Sequence, residues 1–190
     1  EKIGIWQTNE ATEAAKYGQE PGDIKVRDLD KNGTIDSNND RKVLGQLTPK
    51  WTAGLNNRFE YKGWELSFFL YARVGHMIAS QAAGNFNPSG WTNSIACDYW
   101  TPENPINDYA RIGSKNLGTH YVNKSFIRLD NITVSYRLPQ KWTKVVGIQD
   151  LRFNASIHNV AVFAPHYDGW DPESNSPMGR TFNFGINFTL

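Results

Sequence analysis

The last eleven residues, RTFNFGINFTL, alternate without a break. Phe182, Phe184, Ile186, Phe188 and Leu190 fall on one side of an extended chain, and Thr181, Asn183, Gly185, Asn187 and Thr189 fall on the other. Successive side chains of a strand point to opposite faces, so this period of two specifies a strand that is apolar on one face and wet on the other. The pattern recurs upstream. WTAGLNNRFEYKGWELSFFLYARVG reads as two strands joined by a tight turn at Lys62-Gly63. In the first, Trp51, Ala53, Leu55, Phe59 and Tyr61 oppose Thr52, Gly54, Asn56, Arg58 and Glu60. In the second, Trp64, Leu66, Phe68 and Leu70 oppose Glu65, Ser67, Tyr71 and Arg73, with Phe69 as an apolar exception on the polar side.

SFIRLDNITVSYRLP is a further strand with a change of parity. Ile127 and Leu129 share one face, whereas Ile132, Val134, Tyr136 and Leu138 share the other, which predicts a β-bulge near Asp130-Asn131. Pro139 ends it. QKWTKVVGIQD has room for one helical turn before LRFNASIHNVAVF, where Leu151, Phe153, Ala155, Ile157 and Ala161 alternate with Arg152, Asn154, Ser156 and His158. Between these strands, residues 75–124 hold no period of either kind, and APHYDGWDPESNSPMG forms a second loop. Loops of such length inside a compact domain are uncommon and usually functional.

A net charge of +1, from 20 basic and 19 acidic residues, gives no electrostatic case for a nucleic-acid partner. No run approaches the roughly 20 apolar residues of a membrane-spanning helix. The mean hydropathy of −0.57 does not exclude a membrane β-barrel, whose strands alternate and average out as hydrophilic. The first residues carry no secretion signal, as expected of a cytoplasmic protein, a mature chain or a fragment. The single Cys97 forms no internal disulfide and is read as a packing residue. His76, His120, His158 and His166 are too dispersed for a zinc signature, and no nucleophile elbow, P-loop or dinucleotide fingerprint is present, so no enzyme is expected. Alternating strands suit a soluble β-sandwich as well as a barrel. Strands of roughly 10 residues, tight turns alternating with long loops, and aromatics at strand ends favour a barrel wall in lipid.

With these segments placed, the chain resembles the C-terminal part of SusC/RagA-type TonB-dependent outer-membrane transporters. The resemblance runs in order through GIWQTNEA, KYGQEPGDIKVRDLDKNGTID, NDRKVLGQLTPKWTAGLNNRFEYKGWELSFFLYARVG, DYWTPENP, SFIRLDNITVSYRLP, HNVAVFAPHYDGWDPE and GRTFNFGINFTL. It implies an all-β fold: the last five or six strands of an antiparallel transmembrane β-barrel of about 22 strands, with long extracellular loops and a plugged lumen. Residues 1–190 would be one C-terminal barrel segment, with the plug and earlier strands elsewhere. The implied function is import of oligomeric nutrients, glycans or peptides, across the bacterial outer membrane. Its implied partners are the remainder of the barrel, the lipid bilayer, a SusD-like surface lipoprotein, and the TonB complex acting through the plug. Loops 7–48, 75–124 and 163–179 are the candidates for contacting the lipoprotein. The terminal strand is similar to the signal read by the outer-membrane assembly machinery. The alternative is a secreted soluble β-sandwich that binds carbohydrate through exposed aromatics.

Two sets of residues stand out as candidate sites. In DLDKNGTIDSNND, Asp28, Asp30, Asn32, Gly33, Thr34 and Asp36 occupy positions 1, 3, 5, 6, 7 and 9 of an EF-hand-type calcium loop. Position 12 is Asn39, with Asp40 one residue late, and the flanks lack helical patterning, so a helix-loop-helix sensor is excluded. The loop is either an Asx-type turn or a structural Ca2+ clamp on Asp28, Asp30, Asn32, Thr34, Asp36 and Asp40, with no cofactor otherwise required. The loop aromatics Trp91, Tyr99, Trp100, Tyr109, Tyr121, Tyr167 and Trp170 could stack on a ligand or pin loops together.

Overall fold

The computed structural model describes residues 1–80, 98–114 and 121–190. Its elements in chain order are β1 (Lys2–Ile5), α1 (Ala11–Lys16), β2 (Ile24–Val26), β3 (Trp51–Tyr61), β4 (Trp64–Val74), β5 (Met77–Ala79), β6 (Tyr121–Asn123), β7 (Phe126–Arg137), α2 (Gln140–Thr143), β8 (Asp150–Phe163) and β9 (Thr181–Thr189). The chain divides into two compact units, residues 1–46 with 77–122, and residues 47–76 with 123–190.

The second unit is a five-stranded antiparallel sheet in the order β3-β4-β7-β8-β9. Its register carries each strand's apolar side onto one common face. Tyr61, Trp64, Tyr136, Phe153 and Ile186 form one row across all five strands, and Phe59, Leu66, Val134, Ala155 and Phe184 form the next. The Trp64 and Tyr136 rings approach to 4.6 Å between centroids. On the opposite face Arg58, Ser67, Thr133, Ser156 and Asn183 make the corresponding polar row. A one-residue slip in any strand would exchange its two faces, so the segregation of apolar and polar rows ties each strand to this register.

The expected bulge is present. The β4 partners step from Phe69↔Asn131 to Leu70↔Leu129, so Asp130 is the extra residue of β7. Absorbing that residue returns Ile127 and Leu129 to the same face as Ile132 and Val134 despite their different parity. Phe69 lies on the polar face because its ring covers Gly54 of the neighbouring strand, where a Cβ would stand 3.4 Å from the Phe69 Cε2 atom. A ring laid over a strand glycine supplies the packing that the glycine lacks.

The apolar face of this sheet is exposed: Phe59 is 57%, Phe184 83% and Phe188 63% accessible. The polar face is covered in part, with Phe126, Arg128 and Ser135 of β7 buried on it. The connections alternate in length. β3 joins β4 through Lys62-Gly63, and β7 joins β8 through the short helical segment containing α2, as expected for QKWT. The opposite ends are linked by the long segment after β4 and by residues 164–180.

The first unit was not legible as a folded element. β1 and β2 pair antiparallel, and Ile5, Ile24, Trp100 and Ala110 form its core, with Val26 and Ile106 packed against it. Gly22 takes φ +90°, and a Cβ there would stand 2.5 Å from the Trp100 ring, so only glycine lets this strap cross the indole. The Glu10 carboxylate accepts a hydrogen bond from the Gln7 amide at 3.0 Å just ahead of α1. Six helical residues are too few to show an apolar period, which is why this helix escapes sequence reading.

The Lys62-Gly63 turn supplies a test of the sheet. Both residues have positive φ, 47° and 87°, and a Cβ on Gly63 would stand 2.8 Å from the Arg137 carbonyl oxygen. Gly63→Ala should therefore destabilise the β3–β4 hairpin by about 1–3 kcal/mol. Urea unfolding of the full-length protein in detergent micelles measures this; an unchanged midpoint would contradict the strained-turn assignment.

Candidate functional site

The polar face of the sheet carries one deeply buried charge. Arg128 of β7 is 1% exposed, and Asp171 of the β8–β9 loop is 3% exposed. Arg128 Nη2 donates to both Asp171 oxygens, at 2.8 and 2.6 Å. Its Nη1 donates to Asn159 Oδ1. Nε lies 3.5 Å from Glu173 Oε2, a charge contact too long to be a good hydrogen bond, and it makes no other hydrogen bond. Glu173 is itself held by Arg73 Nη2 at 2.9 Å and by the Tyr71 hydroxyl. Asp171 Oδ1 also accepts the Glu173 and Ser174 amides, at 2.8 and 3.1 Å, which fixes the loop backbone around it. Burial alone would raise the Asp171 pKa. The Arg128 hydrogen bond and the Ser174 and Glu173 amides outweigh that effect and hold the carboxyl below its ordinary value. Leaving either charge of such a buried pair alone costs about 3–5 kcal/mol.

In the 28–40 loop, the structure brings together three of the six proposed ligands. Carboxylate oxygens of Asp28, Asp30 and Asp40 lie within 4.8 Å of one another. Asp40 is buried and closes the loop, its two oxygens accepting the Leu29 and Asp36 amides at 2.6 and 2.8 Å. Its late position in the sequence does not remove it from the cluster. Asn32 and Thr34 instead serve local turns, Asn32 Oδ1 accepting both the amide and the hydroxyl of Thr34. Asp36 accepts the Asn38 and Asn39 amides at 2.7 and 2.8 Å, and these bonds hold its pKa down. Gly33 takes φ +83° and donates to Asp28 Oδ2 at 2.9 Å. Asp28 Oδ1 is shut off from solvent without a hydrogen-bond partner. A set of three clustered carboxylates of this kind suits a hard cation that prefers oxygen ligands. Asx-type turns account for the rest of the loop.

The loop aromatics separate into two groups. Trp100 is 5% exposed, sits in the core of the first unit, and donates from Nε1 to Gln7 Oε1 at 2.9 Å. Packing is therefore the role its position shows. Tyr99 and Tyr109 are half-buried in the same unit, where the Trp100 amide donates to the Tyr109 carbonyl at 3.0 Å. Tyr121 is 44% and Trp170 62% exposed. The half-buried Tyr167 donates its hydroxyl to Asn175 Oδ1 at 3.2 Å. Trp91, Cys97 and His120 lie outside the described residues. The signal that could have led to Arg128 was a lone arginine within a strand otherwise free of basic residues until Arg137, with its partner carboxylates in the DPE of the β8–β9 loop.

No family model matches the chain. TonB-dependent receptor P3 of Formosa agariphila is 35% identical over 97% of this chain and 21% of its own length. TonB-dependent receptor SusC of Bacteroides thetaiotaomicron is 26% identical over 84% of this chain and 17% of its own length. The chain thus spans about a fifth of the curated relatives it matches. Among solved structures, the RagAB peptide importer in its open-open state superposes over 100% of this chain and 22% of its own, with a TM-score of 0.70 at 22% identity. The RagAB peptide transporter superposes over 88% with a TM-score of 0.69 at 23% identity.

The depressed Asp171 pKa gives a signed pH dependence. A carboxylate held below its unfolded value of about 3.9 contributes fully above that pH and loses its contribution as pH falls through the folded value. The melting temperature of wild type should exceed that of Asp171→Asn by a constant margin between about pH 5 and 8, and the margin should close below about pH 4. A margin unchanged in acid would show that the Asp171 charge does not hold the loop.

Proposed function

Since the chain belongs to the SusC/RagA-type TonB-dependent receptors of the bacterial outer membrane, we propose that it forms part of the wall of an importer that takes up oligomeric nutrients, glycans or peptides. The observation that carries this reading is the two-sided sheet. Its apolar face, exposed over rows of Phe, Trp and Tyr, suits hydrocarbon, and its polar face of Arg, Asn, Ser and Thr suits a wet lumen. A β-sandwich would cover that apolar face with a second sheet, so the exposure disfavours a soluble carbohydrate-binding module. Short connections mark the periplasmic end and long ones the extracellular end.

On this reading transport is driven by TonB acting through the plug, and a SusD-like lipoprotein covers the extracellular mouth. Loops 7–48, 75–124 and 163–179 are the candidates for contacting that lipoprotein. Tyr109, Tyr121, Tyr167 and Trp170 are the described aromatics available to cargo, Trp170 with the greatest exposure among those given. The chain's own residues provide a surface and an orientation, and no bond-making step is assigned to them.

Two measurements test this. In cells carrying the full-length receptor, the protein should fractionate with the outer membrane, co-purify with a SusD-like lipoprotein, and support growth on one oligomeric nutrient only while TonB is intact. Recovery in the soluble fraction would overturn the wall assignment, and TonB-independent growth would overturn the import assignment. Separately, a structural Ca2+ on Asp28, Asp30 and Asp40 would draw the loop together without supplying chemistry. Millimolar Ca2+ should then raise the melting temperature of the wild-type receptor and leave Asp30→Ala unmoved. No shift in either protein would reduce the loop to its Asx turns.

A further inference from the structure

The β8–β9 loop is anchored to the wall more firmly than its length and polarity require. Arg128 reaches it from the polar face of β7, 43 residues away in sequence, and is itself almost fully buried. Three further contacts fasten the same segment. Asn159 Nδ2 donates to the Gly179 carbonyl at 3.3 Å, Arg180 Nε donates to the Val160 carbonyl at 3.0 Å, and Glu173 is gripped from β4 by Arg73 and Tyr71. Asn159, whose φ of +53° takes β8 into a left-handed kink, therefore binds Arg128 with its oxygen and the far end of the loop with its nitrogen. The Arg128 guanidinium also lies 5.6 Å from the Phe126 ring centroid, which limits its rotamers.

We propose that Arg128 is a positioning residue for import: from inside the wall it makes residues 164–180 a fixed part of the lumen lining and so sets where Trp170 stands. Trp170 immediately precedes Asp171 and is 62% exposed while Asp171 is 3% exposed. The indole is thus presented by a backbone pinned at its neighbour. A pre-ordered aromatic surface loses less entropy on binding than one carried by a wandering loop. Arg128 and Arg73 bind Asp171 and Glu173 directly, and the Lys124 ammonium lies within electrostatic reach of both carboxylates. Holding the loop this way rests on the lumen reading above only for its meaning to cargo; the latch itself does not depend on what is imported.

Electron paramagnetic resonance of the full-length receptor in detergent, without cargo, lipoprotein or TonB, separates these possibilities. One nitroxide is placed at Ser176→Cys on the loop and, in a second sample, at Asn183→Cys on β9, with native cysteines replaced. Arg128→Met should sharpen the loop spectrum to that of a mobile label and leave the β9 spectrum unchanged. Arg128→Lys, which keeps the charge but loses the fork of donors, should fall between. Should Arg128→Met fail to assemble, Asp171→Asn with Glu173→Gln removes the latch from the loop side and must give the same loop-only change. An immobile loop label in an assembled unlatched variant would overturn the proposal, as would equal loosening of both labels. Failure of outer-membrane import with a latched loop would count against the importer reading alone.

Discussion

Hydrocarbon offers no partner to a backbone amide or carbonyl, so a chain that crosses a bilayer in extended form must satisfy both through neighbouring strands. The strand pairing of the second unit answers that demand. The five strands pair without interruption over most of their length, and the outer edges of β3 and β9 are left without a ladder partner among the described residues. Exposed edges and an exposed apolar face are both unfavourable in water, and both are resolved by a closed barrel in lipid. The segment covers about a fifth of its relatives and is nonetheless regular in strand register.

How far the sequence could be read depended on how local the deciding interactions are. Face assignments, the hairpin at Lys62-Gly63 and the bulge at Asp130 all arise from alternation within a dozen residues, and each was legible. The exception at Phe69 was visible, but its reason, the glycine on the next strand, was not. The core of the first unit joins Ile5 and Ile24 to Trp100 and Ala110. No periodicity links positions so far apart, and Trp100 consequently looked like one more loop aromatic. In the 28–40 loop the ligand spacing was readable, whereas the return of Asp40 onto Asp28 and Asp30 depended on how the intervening turn folds.

The Arg128 cluster shows the same limit from the side of electrostatics. A buried ion pair is poor evidence of net stability, because desolvation offsets most of the attraction. What the cluster adds is direction: the guanidinium meets both Asp171 oxygens and the Glu173 carboxylate from one position. Hydrophobic contacts could hold a loop of this size, but they tolerate sliding. Directional donors on a planar guanidinium do not.

The bulge at Asp130 has a consequence for how β7 can vary. Positions on the polar face are even-numbered above it, at Phe126 and Arg128, and odd-numbered below it, at Asn131, Thr133 and Ser135. The strand is in effect two reading frames joined at one residue. A length change at the joint leaves both frames intact, while a length change elsewhere in β7 inverts the stretch between it and the joint. Hydropathy read through the strand as one frame would assign Arg128 to the lipid. The one extra residue at Asp130 is thus what puts the buried arginine on the polar side of the sheet.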